Sequence, residues 1–485
     1  MKIKLSLLAL LVTLTTACNL EIEPFDGITR ENLASVPNAL TYATNGTYAL
    51  MKDMLEYKGR LDFRSTYARN LHQMLEYAGD NVTLSGTTTD PLFFAATREH
   101  FPAMENATYI WYVAYKIVNL ANQNIESVTE GQNQANDFLL GENYFMRAMA
   151  YFDLLRLYAR PFSHGANNPG VPLRLQSATP DKLARATVGQ CYAQVEADLL
   201  KAATLMATGQ SRGVEFASKE AAWALLSRLY LYKEQHDEAI DFATRVIQSP
   251  RFQLQPTGSY LDLFHNSPAS SESIFVIKHL LQDDKVLASI GSMYLTDGLG
   301  WGEVYISESL RNLMQQHPED VRNELIKPQL ANDGVTVVTR NGVPKYFITK
   351  FSYQDGIVTL SSPHVIRLAE MYLNRAEAYA KKGDTPNALA DINVIRTRAG
   401  LATSLYSAGN LQGASSVLNA VLQERRLELA YEGHRAIDVY RNKLNLDRTF
   451  PGVQPKVVVS WEDPRNIYYI PQDEVIVNTI CAQNN

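Results

Sequence analysis

KEAAWALLSRLYLYKEQHDEAIDFATRVIQSP, residues 219–250, carries two apolar stripes at helical spacing with a short polar break between them. Trp223, Leu226, Ser227 and Tyr230 line one face of a first helix; Ala239, Ala243 and Val246 line a second. Small residues at the facing positions let two helices approach closely, and Pro250 ends the unit because its ring cannot continue a helix. A unit of about 34 residues is the tetratricopeptide length. The same spacing returns in LAEMYLNRAEAYAKKGDTPNALADINVIRTRAG, 368–400, with Tyr372, Ala376, Tyr379, Ala388, Ile392 and Gly400 in the matching slots. Two copies in register predict a helical-repeat scaffold.

Two longer helix pairs flank these copies. Helix 139–159, LLGENYFMRAMAYFDLLRLYA, pairs with 187–206 across a loop rich in Pro, Gly and Asn. Helix 37–57, opening at Pro37, pairs with 105–127, leaving 58–104 as an irregular stretch of Gly, Thr, Pro and aromatic residues. From 251 to 362 the helical period is lost. ESIFVIKH, VTVVTRNG and KYFITKF read as strands, with turn signals at Asn332-Asp333-Gly334 and Asn341-Gly342. The expected fold is mostly α: about four tetratricopeptide-like helix pairs with long irregular insertions and a few short strands. Insertions of that length in a compact protein are where function concentrates.

The amino terminus reads as a targeting segment. Lys2 and Lys4 precede an apolar run, Leu5 to Leu14, that is too short to span a bilayer of about 30 Å. Small residues, Thr15, Thr16 and Ala17, then lead to Cys18, the arrangement a lipoprotein signal peptidase reads, although Leu14 stands one position early for the usual box. Residues 1–17 are therefore expected to be removed and Cys18 lipidated, with several acyl chains anchoring the chain at about 0.8 kcal/mol per buried methylene. Glu21, Glu23 and Asp26 keep the tether solvated. The mature chain divides into 18–215 and 216–485, the latter with the insertion 251–362, expected as one compact structural unit.

Bulk chemistry narrows the function. The formal charge of the 485 residues is −6, and removing Lys2 and Lys4 takes it to −8. An acidic chain without basic clusters makes a poor nucleic-acid partner. Cys191 and Cys481 stand far apart without metal spacing, so neither a disulfide framework nor a metal site is expected. Apolar residues make up 46% of the chain, enough for a large packed core in place of cross-links.

NYFMRAMAYFDLLRLYARPF (143–162), VIRLAEMYLNRAEAYA (365–380), INVIRTRAG (392–400), ERRLELAYEGHRAIDVYR (424–441) and YYIPQDEVIVN (468–478) resemble the SusD/RagB family of surface glycan-binding lipoproteins of Bacteroidota. With the lipobox, the resemblance covers essentially the whole chain in family order. It implies a helical fold on four tetratricopeptide units and a lipid-anchored place in the outer membrane, facing the exterior. It also implies a partner, a TonB-dependent outer-membrane barrel of the SusC type, which the lipoprotein caps as a lid. The implied ligand is an oligosaccharide, occasionally a peptide, and no cofactor is called for.

A pyranose ring has an apolar C–H face and a polar equator. A shallow site for it therefore wants an aromatic platform with amides or carboxylates at the rim. Two stretches supply both: GDNVTLSGTTTDPLFF, 79–94, and MYLTDGLGWGEVY, 293–305. Trp301, flanked by Gly300 and Gly302, is the first expected platform; Tyr294, Tyr305, Phe93 and Phe94 follow, with Asp80, Asn81, Asp90 and Asp297 as hydroxyl partners. Trp111 and Trp223 fall at packing positions on helices, and Trp461 has no assigned role.

Catalytic residues are not expected. The nine histidines form no ligand motif, and no nucleophile elbow or nucleotide fingerprint occurs. Glu424, Glu428 and Glu432 lie among Arg425, Arg426, Arg435 and Arg441, a spacing that reads as a structural ion-pair ladder along one helix rather than a glycosidase acid pair. Arg147, Asp153 and Arg156 likewise read as buried pairs that orient helices. The competing readings are a tetratricopeptide protein- or peptide-binding lid without glycan affinity and a surface hydrolase. If Cys18 carries the anchor, Cys18→Ala moves the protein from the membrane to the soluble fraction on fractionation; unchanged membrane partition after detergent-free washing contradicts the anchor.

Overall fold

The computed structural model describes residues 38–59, 61, 66–208, 211–296 and 298–484; Cys18, the leader and Asp297 lie outside them. The chain divides into two units, Met1–Tyr42 and Ala43–Asn485, and of the first only the opening of one helix is described. Fifteen α-helices occur among the described residues, against strands of two to four residues. Ten of these helices have ten or more residues: α1 Ala39–Ala49, α2 Tyr67–Glu76, α3 Glu105–Glu126, α4 Gln134–Tyr158, α5 Val188–Leu205, α6 Lys219–Tyr232, α7 His236–Ile247, α8 Leu368–Lys381, α9 Thr385–Arg398 and α10 Val417–Glu428. The mostly helical fold with short strands is the one the apolar periodicity implies.

The repeat units form where the small residues predict them. Ser227 of α6 is fully buried and donates its hydroxyl to the Ala239 carbonyl of α7 at 3.1 Å, an approach a larger side chain would block. Ala376 of α8 and Ala388 and Ile392 of α9 are buried in the equivalent places. The units stack through Arg375 of α8, which forks onto Asp391 of α9 at 2.7 and 2.8 Å and donates to Thr244 of α7. Arg147 of α4 grips Asp198 of α5 with two bonds of 2.7 and 2.8 Å. Asp153 accepts from Arg156 at 3.1 Å and from the Tyr67 hydroxyl at 2.8 Å. These side chains orient helices, as their spacing implies.

The amino-terminal pair differs from expectation. The helix read over 37–57 stops at Ala49, where the Met51 and Lys52 amides close a tight turn onto the Tyr48 and Ala49 carbonyls. The Met51 carbonyl then takes the Ala68 amide, which leads the chain into α2. Asn124 of α3 and Asn143 of α4 reach Thr47 and Thr44 of α1 at 3.2 and 2.9 Å. Helix α2 lies inside the stretch read as irregular. Its polar residues are buried and find distant partners: Arg69 with Asp90, Gln73 with Asn106, and Glu76 with the Gly433 amide. Thr66 caps its first turn through the Arg69 amide.

The insertion 251–362 is stitched by short antiparallel pairs. β1 (Val82–Leu84) pairs with β3 (Val304–Ile306), β2 (Ser273–Val276) with β8 (His364–Arg367), β4 (Ile326–Pro328) with β7 (Tyr346–Ile348), and β5 (Thr339–Arg340) with β6 (Val343–Pro344). The strand read over 335–342 thus shrinks to Thr339–Arg340. Asn341 and Gly342 turn the hairpin with φ of 51° and 77°, the doubly positive pair a type I′ turn requires.

The glutamate ladder is structural, but it does not run along one helix. Helix α10 ends at Glu428, and Glu432 lies beyond it. Glu424 pairs with Arg322 and Arg396; Glu428 with Arg322, Arg367 and Arg398; Glu432 with Lys350 and Arg367. Glu272 and Asp320 complete the set, through Arg367 and Arg398 and through Arg322. Five cations face five carboxylates, all buried, so the cluster carries no net charge into the core. Burial pushes the Glu428 carboxyl up, but Arg398, Arg367 and Arg322 outweigh it and hold it well below the carboxylate range. Nearby, Arg425 binds Asp438, and Arg441 binds Glu377 and Asp438.

Three histidines stand inside this charged core. Burial first, then Arg69 and Lys350, lowers His72 to about 3 against the pull of Glu432. Burial also takes His364 to about 3, against the pull of Glu432 and with Arg367 and Lys350 adding to the fall. His434 is held well below its ordinary value by burial and by Arg228, Arg425 and Arg156. All three are neutral when folded and titrate near 6.5 when unfolded. The unfolded chain therefore binds more protons below that pH, and stability is complete above about 6.5 and lost as pH falls toward 3. Urea unfolding between pH 7.5 and 5 should show stability declining by about 1.4 kcal/mol per pH unit for each such histidine once pH is well below 6.5, with a shallower slope in His434→Gln. A flat profile down to pH 5 contradicts this.

Candidate functional site

Strand pairing brings together the two stretches that sequence chemistry singles out. Val82 stands opposite Ile306 and Leu84 opposite Val304, so the 79–94 and 293–305 loops spring from one ladder. The Ser307 amide binds the Asn81 carbonyl at 2.9 Å and its hydroxyl the Asp80 carbonyl at 2.6 Å. The loops share a base.

Most of the expected contact residues face inward from that base, which corrects their assignment. Tyr294 is fully buried, its hydroxyl 2.7 Å from His72 Nε2 and its ring against Tyr77 and Phe351. Tyr305 is also buried; it donates to the Gly302 carbonyl at 2.8 Å and packs edge-on against Phe347. Neither ring has a face for a sugar. Asp80 is taken by Arg435 at 2.8 Å and Arg426 at 3.4 Å; burial raises its carboxyl, but the two arginines win and hold it at about 2. Asn81, without accessible surface, bonds Glu76 and Arg426 at 3.0 Å each. Asp90 is paired with Arg69 at 2.7 Å and caps the Leu92 amide at 3.0 Å. These three polar residues fasten the loop to the scaffold.

Phe93 and Phe94 are half-buried. Phe94 packs edge-on to the exposed Phe101, 5.1 Å between centroids, a residue that the sequence reading passes over. Trp111 is core, its Nε1 donating to Glu474, whereas Trp223 is half-buried between Lys219 and Arg245. Trp461 rests on His164, 4.8 Å between rings.

Trp301 keeps its surface, with 42% of the residue exposed. Its Nε1 donates to the Leu287 carbonyl at 2.6 Å and its backbone amide to the Ser292 carbonyl at 2.7 Å. The same insertion exposes Leu280, Leu281, Val286, Leu287 and Leu299, between 41% and 67% each. Sequence reasoning missed these because it looked for aromatic and polar partners; the signal was present in HLLQDDKVLAS and DGLGWG as aliphatic residues set among turn formers.

A cavity of about 70 Å³ in the core is lined by His72, Asp153, Arg156, Arg228, His364 and Glu432 among others. A recess of about 380 Å³ borders Phe138, Lys219, Glu220 and Arg251, but its aromatic residue is buried and Glu220 and Arg251 bind each other at 2.6 Å. Trp301 and Phe101 both keep aromatic surface in solvent, 42% and 41% of each residue.

Known proteins share this fold. Residues 256–479 match the SusD family, and residues 49–231 match the family described as starch-binding associating with outer membrane. SusD-like protein P2 of Formosa agariphila is 26% identical across all of this chain and 99% of its own length. The crystal structure of a SusD superfamily protein from Bacteroides thetaiotaomicron superposes with a TM-score of 0.81 at 26% identity, over 92% of this chain and 99% of that one. A SusD-like carbohydrate binding protein from Bacteroides vulgatus, 21% identical, shares the fold with a TM-score of 0.76 over 91% and 96% of the two chains. The chain belongs to the SusD/RagB family.

Proposed function

We propose that this protein is a surface glycan-binding lipoprotein, tethered to the outer membrane at Cys18 and facing the exterior, that stacks an oligosaccharide on Trp301 and passes it to a TonB-dependent transporter of the SusC type. The exposed indole carries the reading. It is the one residue of the expected aromatic platforms whose ring is both exposed and set in the glycine-rich loop, with its N–H already engaged and its surface left for a C–H face. The family described as starch-binding and outer-membrane-associated supports the ligand class and the location.

Hydrolysis has no place in this reading. Glu424 and Glu428, the densest carboxylates in the sequence, have no accessible surface and are bound to arginines. A lid that binds only protein or peptide is the second reading, and the aliphatic residues around Trp301 favour it, since a sugar rim has no need of so much hydrocarbon.

Affinity electrophoresis against laminarin, xyloglucan, galactomannan and soluble starch separates the two. Retardation by at least one polysaccharide is expected. Trp301→Ala should weaken it about thirtyfold, the equivalent of about 2 kcal/mol at a hot-spot aromatic. The melting temperature should move little, because a half-exposed ring lacks the cost of about 3–5 kcal/mol that truncating a core tryptophan carries. Retardation untouched by Trp301→Ala removes the platform, and no retardation by any of the four leaves the protein-binding reading.

A further inference from the structure

Trp301 is held at two points, and both lead to Ser292. The indole Nε1 donates to the Leu287 carbonyl at 2.6 Å. The Ser292 hydroxyl lies 2.7 Å from that same oxygen and 2.8 Å from the Ser289 carbonyl. A carbonyl oxygen has two lone pairs, so one acceptor serves both donors. The Trp301 backbone amide, in turn, donates to the Ser292 carbonyl at 2.7 Å. Ser292 therefore holds the tryptophan backbone through its carbonyl and, through its hydroxyl, the acceptor that receives the indole N–H.

The surroundings of Ser292 suit this role. The residue is fully buried, and its amide donates to the Ser289 hydroxyl oxygen at 3.1 Å. Gly300 lies so close that a Cβ there would stand 2.2 Å from the Ser292 carbonyl oxygen. Only glycine lets the 298–301 turn descend far enough for the Trp301 amide to reach that oxygen. Val286, next to the shared acceptor, has φ of 49°, a conformation a β-branched residue rarely takes. Its amide is held by Asp284 Oδ1 at 3.0 Å. A strained turn thus presents the Leu287 carbonyl toward the indole.

We infer that Ser292 is a positioning residue for the Trp301 platform: with the Leu287 carbonyl and the close approach at Gly300, it clamps the indole in advance of binding and consumes its N–H, so that a ligand meets a fixed aromatic face and no indole hydrogen bond. The inference rests on the stacking role proposed for Trp301. Two consequences follow. The rotamer entropy of the ring is spent during folding rather than at binding. The platform reads the apolar face of a neutral pyranose and takes no part in reading its hydroxyl pattern.

The test uses the full-length protein in detergent with [15N]indole-labelled tryptophan. The four tryptophans give four Nε1–H resonances, and the one absent from Trp301→Phe is that of Trp301. In Ser292→Ala the Trp301 indole proton should exchange with solvent at least about tenfold faster. Binding to the polysaccharide that retards the wild type most should weaken roughly three- to tenfold, the span expected for one side chain ordered in advance. Should Ser292→Ala fail to fold, Ser292→Cys takes its place, its longer C–S bond and weak thiol donor loosening the same contact. Unchanged indole exchange overturns the clamp, and so does a released indole with unchanged affinity where Trp301→Ala weakens binding. If Trp301→Ala leaves binding intact, or none of the four polysaccharides retards the protein, the platform reading fails, and indole exchange alone decides whether Ser292 positions the ring.

Discussion

Glu428 receives Arg322, Arg367 and Arg398 in a place shut off from water, and the chain around it depends on that meeting. The three arginines come from different parts of the molecule: Arg322 from the irregular insertion, Arg367 from β8 at the entry to α8, and Arg398 from the end of α9. Glu272, also in the insertion, answers Arg367 and Arg398 from the other side. Each group alone would be costly to bury; together they neutralise one another and remain ionised. The cluster specifies how a long insertion without regular structure docks on a helical scaffold, a task that undirected apolar packing performs less selectively.

That docking determines what the surface loops present. The 79–94 and 293–305 stretches are joined by β1 and β3. Asp80 is held by Arg435 and by Arg426 of α10, the helix that ends at Glu428. Tyr294 and Tyr305 fill the space beneath, and Tyr294 touches His72 of the polar helix α2. Of the two stretches, Thr87, Thr89, Gly298, Leu299 and Trp301 face solvent. Trp301 stays exposed while Tyr294 and Tyr305 beside it are committed to the core.

How much of this could be read in advance follows from the range of each interaction. The paired helices at 219–250 and 368–400 were legible because their signal, small residues and aromatics at fixed spacing, is local. Helix α2 was not: YARNLHQMLE looks solvent-exposed, and its burial makes sense only once Asp90, Asn106 and the Gly433 amide are brought to it by the fold. The same limit explains the site. Glycines beside Trp301 mark a bare loop, and both loops were identified as candidates for surface contact. A lone sequence, however, does not distinguish Asp80 reaching for a hydroxyl from Asp80 reaching for Arg435, 355 residues away. The spacing of Glu424, Glu428 and Glu432 reads as structural, but their partners, Arg322, Lys350, Arg367, Arg396 and Arg398, all lie outside that helix.

The buried cluster can be tested by replacing its central carboxylate. Glu428→Gln keeps the shape and removes the charge, leaving Arg367 and Arg398 partly unanswered in the core. Equilibrium urea unfolding at pH 7.5 should show a loss of about 3–5 kcal/mol, the range for breaking a buried ion pair on one side. A loss below about 1 kcal/mol, as for an exposed pair, would mean that the insertion is held to the scaffold by packing alone and that the cluster is incidental to it.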